Sequence, residues 1–216
     1  MIPIIKGKAP RSYVEELGRL RQTPDASVKW DEVRDRAAVL DQLIREQGGL
    51  CAYCMCRINS NSAHVEHIVP QSQCSQGQDV DYRNMLAVCD GNEKSGDPCA
   101  FTCDRARGDV ALRVNPLKPD TLLKIYYQQN GLICSSDDEV QRDLDRTLNL
   151  NCRAAYLPQR RKEVIDTLNR KLYEVASHRN VASFCRKKYE ELKNASVKEP
   201  FTGVLLYFLK KRARRN

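Results

Sequence analysis

Cys51-Ala52-Tyr53-Cys54 and, a short loop later, His64-Val65-Glu66-His67-Ile68-Val69-Pro70 carry the reading of this chain. Two residues between cysteines let both thiolates turn toward one ion, with amides of the turn free to bond to sulfur. A second pair of thiolates from elsewhere then completes a tetrahedron. Cys89 and Cys103 supply it, with Cys99 as a rival for Cys103. Thiolates select zinc over a hard cation such as magnesium. The competing explanation of a CxxC, a redox pair at a strand-to-helix turn, needs a βαβ context that this segment lacks. The sequence therefore predicts a structural zinc on Cys51, Cys54, Cys89 and Cys103, with Cys56 outside the set.

The second stretch holds two of the three histidines with a carboxylate between them. On an extended strand His64 and Glu66 share a face, while His67 points away unless the strand is irregular. Adjacent Glu66 and His67 can then divide the work, one holding a metal and the other addressing a water molecule. A neutral imidazole titrates near physiological pH, so it can take a proton from water in a transition state. The competing explanation is that these polar groups only cap a strand beside the zinc, with His64 as a stray ligand.

Outward from this centre the texture changes. Leu50–Asp109 is rich in Cys, Gly, Asn and Ser with short apolar runs, a segment that needs a staple. Before it, Val14, Leu17 and Leu20 form a helical stripe. Trp30, Val33, Ala37, Leu40 and Ile44 form a second, ended by Gly48-Gly49. After it, Leu122–Cys134 reads as a hairpin turning at Asn130-Gly131. Ser136 and Glu139 resemble a capping box opening a helix with Val140, Leu144 and Leu148. Further helices are expected at Gln159–Ser177, Val181–Lys193 and Phe201–Arg212, with Val204, Leu205 and Phe208 in the core. The expectation is an α+β protein, a mainly helical chain around a zinc-stapled ββα motif. Its segments are 1–49 (helical), 50–115 (zinc-bound core) and 116–216 (hairpin and C-terminal helices).

The 216 residues carry a net charge of +8, concentrated late at Arg160–Lys162, Arg186–Lys188 and Lys210–Arg215. Such a field favours polyanions, chiefly nucleic acid; solvated helix faces are the plainer account. Ten cysteines without a visible export signal favour metal over disulfides, with Cys134, Cys152 and Cys185 left for packing. Met1–Pro10 carries Lys6 and Lys8, and the apolar run Val204–Leu209 is far short of a membrane span. The sequence thus predicts a soluble, cytoplasmic protein.

Two further pieces follow in order: Asn84-Met-Leu-Ala-Val-Cys89, and Cys103-Asp104-Arg-Ala-Arg107-Gly108. From Cys51 to Asp109 the set resembles the HNH endonuclease family. A closer likeness adds Gly49-Leu-Cys-Ala-Tyr-Cys54, His64-Val-Glu-His-Ile-Val-Pro-Gln-Ser72, Leu148-Asn-Leu-Asn151 and Phe201-Thr-Gly-Val-Leu-Leu-Tyr-Phe-Leu-Lys210. Together these resemble the PtuB-type HNH nucleases of Septu and retron antiphage systems.

The resemblance implies a phosphodiester hydrolase with catalytic Mg2+ or Mn2+ beside structural Zn2+. It implies His67 as general base, Glu66 and Asp104 as ligands of the catalytic ion, and Asn84 as a brace for the inter-strand loop. His64 would assist, and Arg107 would contact a phosphate. It also implies a PtuA-type ATPase partner and, in some systems, a reverse transcriptase with its noncoding RNA. DNA is the favoured substrate, with RNA, including tRNA, the alternative. The chain departs from the family in having Asp104 where His or Asn is common, and in a long Asp90–Ala100 stretch offering Asn92 as a rival ligand. The competing function is a zinc-stabilised subunit that binds nucleic acid or a partner without cutting.

Overall fold

A computed structural model describes residues 1–22, 28–176 and 180–214. The fold is α+β: helices surround two small antiparallel sheets of two strands each. Helices α1 (Arg11–Leu20) and α2 (Arg36–Glu46) come first, then strands β1 (Ala63–His67) and β2 (Met85–Cys89), then the short helix α3 (Cys103–Arg107). A hairpin of β3 (Ile125–Tyr127) and β4 (Ile133–Ser135) leads to α4 (Asp138–Arg142). The long helices α5 (Leu157–Ala176), α6 (Val181–Asn194) and α7 (Thr202–Ala213) close the chain.

One buried cluster contains residues from all three segments, from Met1 and Tyr13 through Leu86 and Val88 to Val204, Phe208 and Leu209. Val204, Leu205 and Phe208 bury on α7, as expected, and Leu209 joins them. Cys134, Cys152 and Cys185 are buried without disulfides. None of the described helices is long and apolar enough to cross a membrane.

Three local details differ from the pattern-based reading. The helix expected from Trp30 onward is broken. Trp30–Glu32 forms a 3-10 turn, Val33 is extended, and α2 begins only at Arg36. The Arg36 guanidinium takes the carbonyls of Trp30, Asp31 and Val33, an alternative to helical bonding. At α4 the cap is Asp137, whose carboxylate accepts from the Val140 amide. Ser136 instead donates its backbone N–H to the Lys124 carbonyl and extends the hairpin. After α4 the chain widens into a π turn, Asp143–Thr147, rather than a continuous α-helix. Ser177 and His178, the latter read from sequence as a surface or packing residue, lie outside the described residues, as does Arg215.

The hairpin turn at Asn130-Gly131 forms as expected. Gly131 has φ +86°, and a Cβ there would sit 2.0 Å from the Pro158 carbonyl, so α5 packs where only glycine fits.

Candidate functional site

The four-cysteine cluster is built from two loops brought together by β2. Gln47, at the end of α2, bonds through its side chain to the Leu50 carbonyl and to both the N–H and C=O of Ala87. Ala52 N–H also donates to the Ala87 carbonyl, at 3.1 Å. The knuckle is thus laid along β2. Met55 turns it with φ +64°, and the Cys56 amide donates to the Cys54 sulfur at 3.5 Å. On the other side, Cys103 opens α3 with φ +54° and its amide bonds the Leu148 carbonyl at 2.9 Å.

These supports gather the sulfurs of Cys51, Cys54, Cys89 and Cys103 within 4.8 Å of one another. Cys51–Cys103 is 3.8 Å, Cys54–Cys89 is 3.7 Å and Cys89–Cys103 is 3.7 Å. A tetrahedron with Zn–S bonds of about 2.3 Å has edges of about 3.8 Å. The spacing and the all-sulfur donor set suit a structural metal ion such as zinc. Cys103 joins the cluster, whereas Cys99 is exposed and Cys56 lies outside. The thiols interact strongly. Against the cost of burial, hydrogen bonds from Cys103, Cys54 and Cys89 hold Cys51 well below the usual thiol range. Hydrogen bonding with Cys103, Cys51, Cys56 and Cys89 pushes Cys54 the opposite way.

Beside the cysteine cluster, β1 and β2 pair antiparallel, with Glu66 opposite Leu86 and His67 opposite Met85. A polar cleft of about 300 Å3 lies between the end of β1 and α3. Glu66, His67, Asp104 and Arg107 all line it.

His67 is 4 % exposed and is the last residue of β1. Its Nε2 lies 2.7 Å from the Asp79 carbonyl oxygen. A carbonyl only accepts, so Nε2 carries the proton and Nδ1 keeps a free lone pair. The Trp30 ring meets the imidazole edge-on, with centroids 5.5 Å apart. Burial lowers the His67 pKa below its usual 6.5, opposed by the Asp79 carbonyl, so the ring is neutral at pH 7.

His64, on the exposed side of the strand, places Nε2 2.7 Å from Asp104 Oδ2. This bond raises the pKa of His64. Glu66 and Asp104 also meet, and their carboxyls shift apart. Burial and hydrogen bonding to Asp104 raise Glu66 to about 8, outweighing the Arg107 cation. Asp104 is lowered; hydrogen bonds with His64 and Glu66 overcome the cost of its own burial.

Asn84 is buried ahead of β2. Its Oδ1 accepts from the Val69 amide at 2.8 Å, and its Nδ2 donates to the carbonyls of Val69 and Gln78 at 3.2 Å each. The side chain thereby ties both ends of the loop that leaves His67 and returns to β2.

Two expectations are corrected. Asn92 stands in a left-handed turn and spends its side-chain amide on the Ala100 carbonyl at 3.1 Å, and it does not line the cleft. Arg107 is no free phosphate contact. It is 2 % exposed, and its guanidinium bonds Glu66, Tyr53 and the carbonyls of His67, Ile68 and Val110. A charge buried at a strand end must be paired and fully bonded, and this one is.

Residue type alone did not reveal Arg107 as a clamp, nor Asp79 as the histidine's orienting group, which acts through its backbone. Tyr53, inside the CxxC itself, bonds both Arg107 and Glu66 and offered the one visible hint. No protein-family model matches the chain, and no curated protein matches it in sequence.

Proposed function

We propose that the chain is a metal-dependent phosphodiester hydrolase of the HNH type, acting at the cleft of His67, Glu66 and Asp104. The observation that carries this reading is the buried neutral imidazole. Its Nε2 is occupied by the Asp79 carbonyl, its Nδ1 is free, and two carboxylates line the same cleft.

The cleft fits a hard divalent ion such as Mg2+ or Mn2+. Two carboxylates that meet are in conflict, and burial with hydrogen bonding to Asp104 raises the Glu66 pKa. A cation with a preference for oxygen donors resolves the conflict. Glu66 and Asp104 would hold it, with His64 fixing the Asp104 carboxylate. When bound, it supplies Lewis-acid polarisation of a phosphate oxygen and stabilises the departing 3′-oxygen. His67 Nδ1 takes the proton of a water molecule as that water's oxygen bonds to phosphorus and the bond to the 3′-oxygen breaks. Arg107 and Asn84 hold the backbone on either side of His67, so the base is oriented before substrate arrives.

The structural zinc site fits this reading, because a motif of two short strands and one short helix buries too little apolar surface to hold itself. The resemblance to PtuB-type nucleases extends the proposal to antiphage defence. The partners would be a PtuA-type ATPase and, in retron systems, a reverse transcriptase with its RNA. The sequence motifs alone support that extension. DNA is the favoured substrate and RNA the alternative.

The test exploits the difference between the two metal sites. Mild EDTA should abolish cleavage while zinc stays bound, and Mg2+ or Mn2+ should restore it. Cleavage that persists after the labile cation is removed, or that zinc alone sustains, would refute the division.

A further inference from the structure

Three adjoining recesses open along α7 and share no lining residue with the His67 cleft. The largest, about 620 Å3, has an aliphatic floor of Leu122, Leu123 and Ile125, beside the start of β3. Its wall is Tyr207, Lys210, Lys211 and Arg214. A recess of about 390 Å3 shares Lys210 and Arg214, and one of about 170 Å3 shares Leu122, Ile125, Tyr207 and Lys210. Together they form one furrow, apolar along one side and cationic along the other.

The charges in this furrow are unmatched. Several other helical lysines find carboxylates: Lys162 pairs with Asp166, Lys188 with Glu191 and Glu199, and Lys193 with Glu190, though Lys171 and Lys187 have no such partner among the described residues. Among the described residues, Lys210, Lys211 and Arg214 have no such partner. No acidic side chain lines the largest recess. The only acidic residue on the other two is Glu190, already paired with Lys193. On the apolar side Leu123 is 78 % exposed, while Leu122 and Ile125 are partly buried against the core. A partner must therefore supply both aliphatic and acidic groups.

Nucleic acid meets only half of that demand. Bases would need an open aromatic face. Tyr207 is the aromatic ring in the largest recess, and it already meets Tyr127 and Phe208 edge-on and lies under Lys211, while Tyr189, which lines the two smaller recesses, is partly buried against the core. We infer that this furrow docks an amphipathic segment of a partner protein, aliphatic on one face and acidic on the other.

The inference is tested on the full chain by fluorescence anisotropy with three labelled probes. One is a synthetic peptide with leucines and glutamates on opposite helical faces. The second replaces its leucines by serine, and the third is a single-stranded oligonucleotide of equal charge. The first peptide should bind saturably, and the serine peptide at least about tenfold more weakly, about 1.4 kcal/mol. Lys210→Glu with Lys211→Glu, and separately Leu123→Asp, should each weaken the first peptide at least about tenfold. All three positions are exposed, and unchanged circular dichroism verifies the fold. Absence of saturable binding overturns the inference, as does binding that ignores all the substitutions. So does an oligonucleotide or serine peptide that binds as tightly as the first and is the probe weakened by charge reversal.

Discussion

Arg107 and Glu66 are joined by an ion pair that also fixes the backbone beneath His67. The same guanidinium donates to the His67 carbonyl at 2.8 Å and the Ile68 carbonyl at 2.7 Å, while its Nε reaches Val110 at 2.8 Å. One buried side chain on α3 therefore sets both a carboxylate and the strand end that carries the imidazole.

Removing it should be costly. Arg107→Ala leaves Glu66 buried without its cation and several carbonyls unpaired, a loss of about 3–5 kcal/mol. Arg107→Lys keeps the charge but not the planar fork, and should recover only part of that loss. Urea denaturation reads both. A loss below about 1 kcal/mol for the alanine variant would mean that the clamp is ornamental.

Cys89→Ser or Cys103→Ser should eliminate the bound zinc and the fold of the surrounding loops together. The knuckle anchors more than itself: the Met55 carbonyl accepts from the Phe201 amide at 3.0 Å, so α7 docks on it. A structural metal contributes many kilocalories to a segment like this. The melting temperature should fall by more than about 10 °C, since about 1 kcal/mol moves a domain of this size by about 2–4 °C. Metal analysis and a thermal melt check the pair of effects. A serine variant that retains one zinc per chain contradicts the four-thiolate assignment.

Asn84→Ala should loosen the loop after His67 without touching substrate groups. Leaving the Val69 amide unpaired costs about 1–3 kcal/mol. Cleavage should slow through kcat, with KM nearly unchanged. A change confined to KM would place Asn84 on substrate instead.

The pH dependence follows from the buried imidazole. In the folded chain burial lowers His67 below 6.5, while the unfolded chain binds that proton at about 6.5. Between the two values the unfolded state holds more protons, so stability drops as pH falls below 6.5 and this contribution is flat above it. The cleavage rate should likewise be insensitive to His67 above 6.5 and decline in acid. An NMR titration that puts the His67 pKa above 6.5 would overturn the neutral imidazole on which the base role rests.

Much of this architecture was legible because its signals are local. A CxxC, an Asn-Gly turn and helical stripes each declare themselves within a few residues, and the helices after Leu157 fall within a residue or two of their expected bounds. The choice of Cys103 over Cys99 was not local. It depends on Cys103 taking a left-handed backbone that is pinned to the distant Leu148 carbonyl. The break after Trp30 was hidden for a similar reason: periodicity continues across it, but Arg36 satisfies the carbonyls from the side. Arg107 misled because a basic residue near a candidate active site looks like a phosphate contact until its burial is known.

The most direct measurement is cleavage of DNA and of total RNA by the full chain and its His67→Ala variant, with saturating Mg2+ or Mn2+. Each is assayed alone and mixed with a PtuA-type ATPase. The parent should cut one of the two substrates, and the variant should lose at least about a hundredfold in rate with zinc content and nucleic-acid binding intact. A variant that cuts as fast as the parent, or a parent that cuts neither substrate under any of these conditions, would contradict catalysis at this cleft.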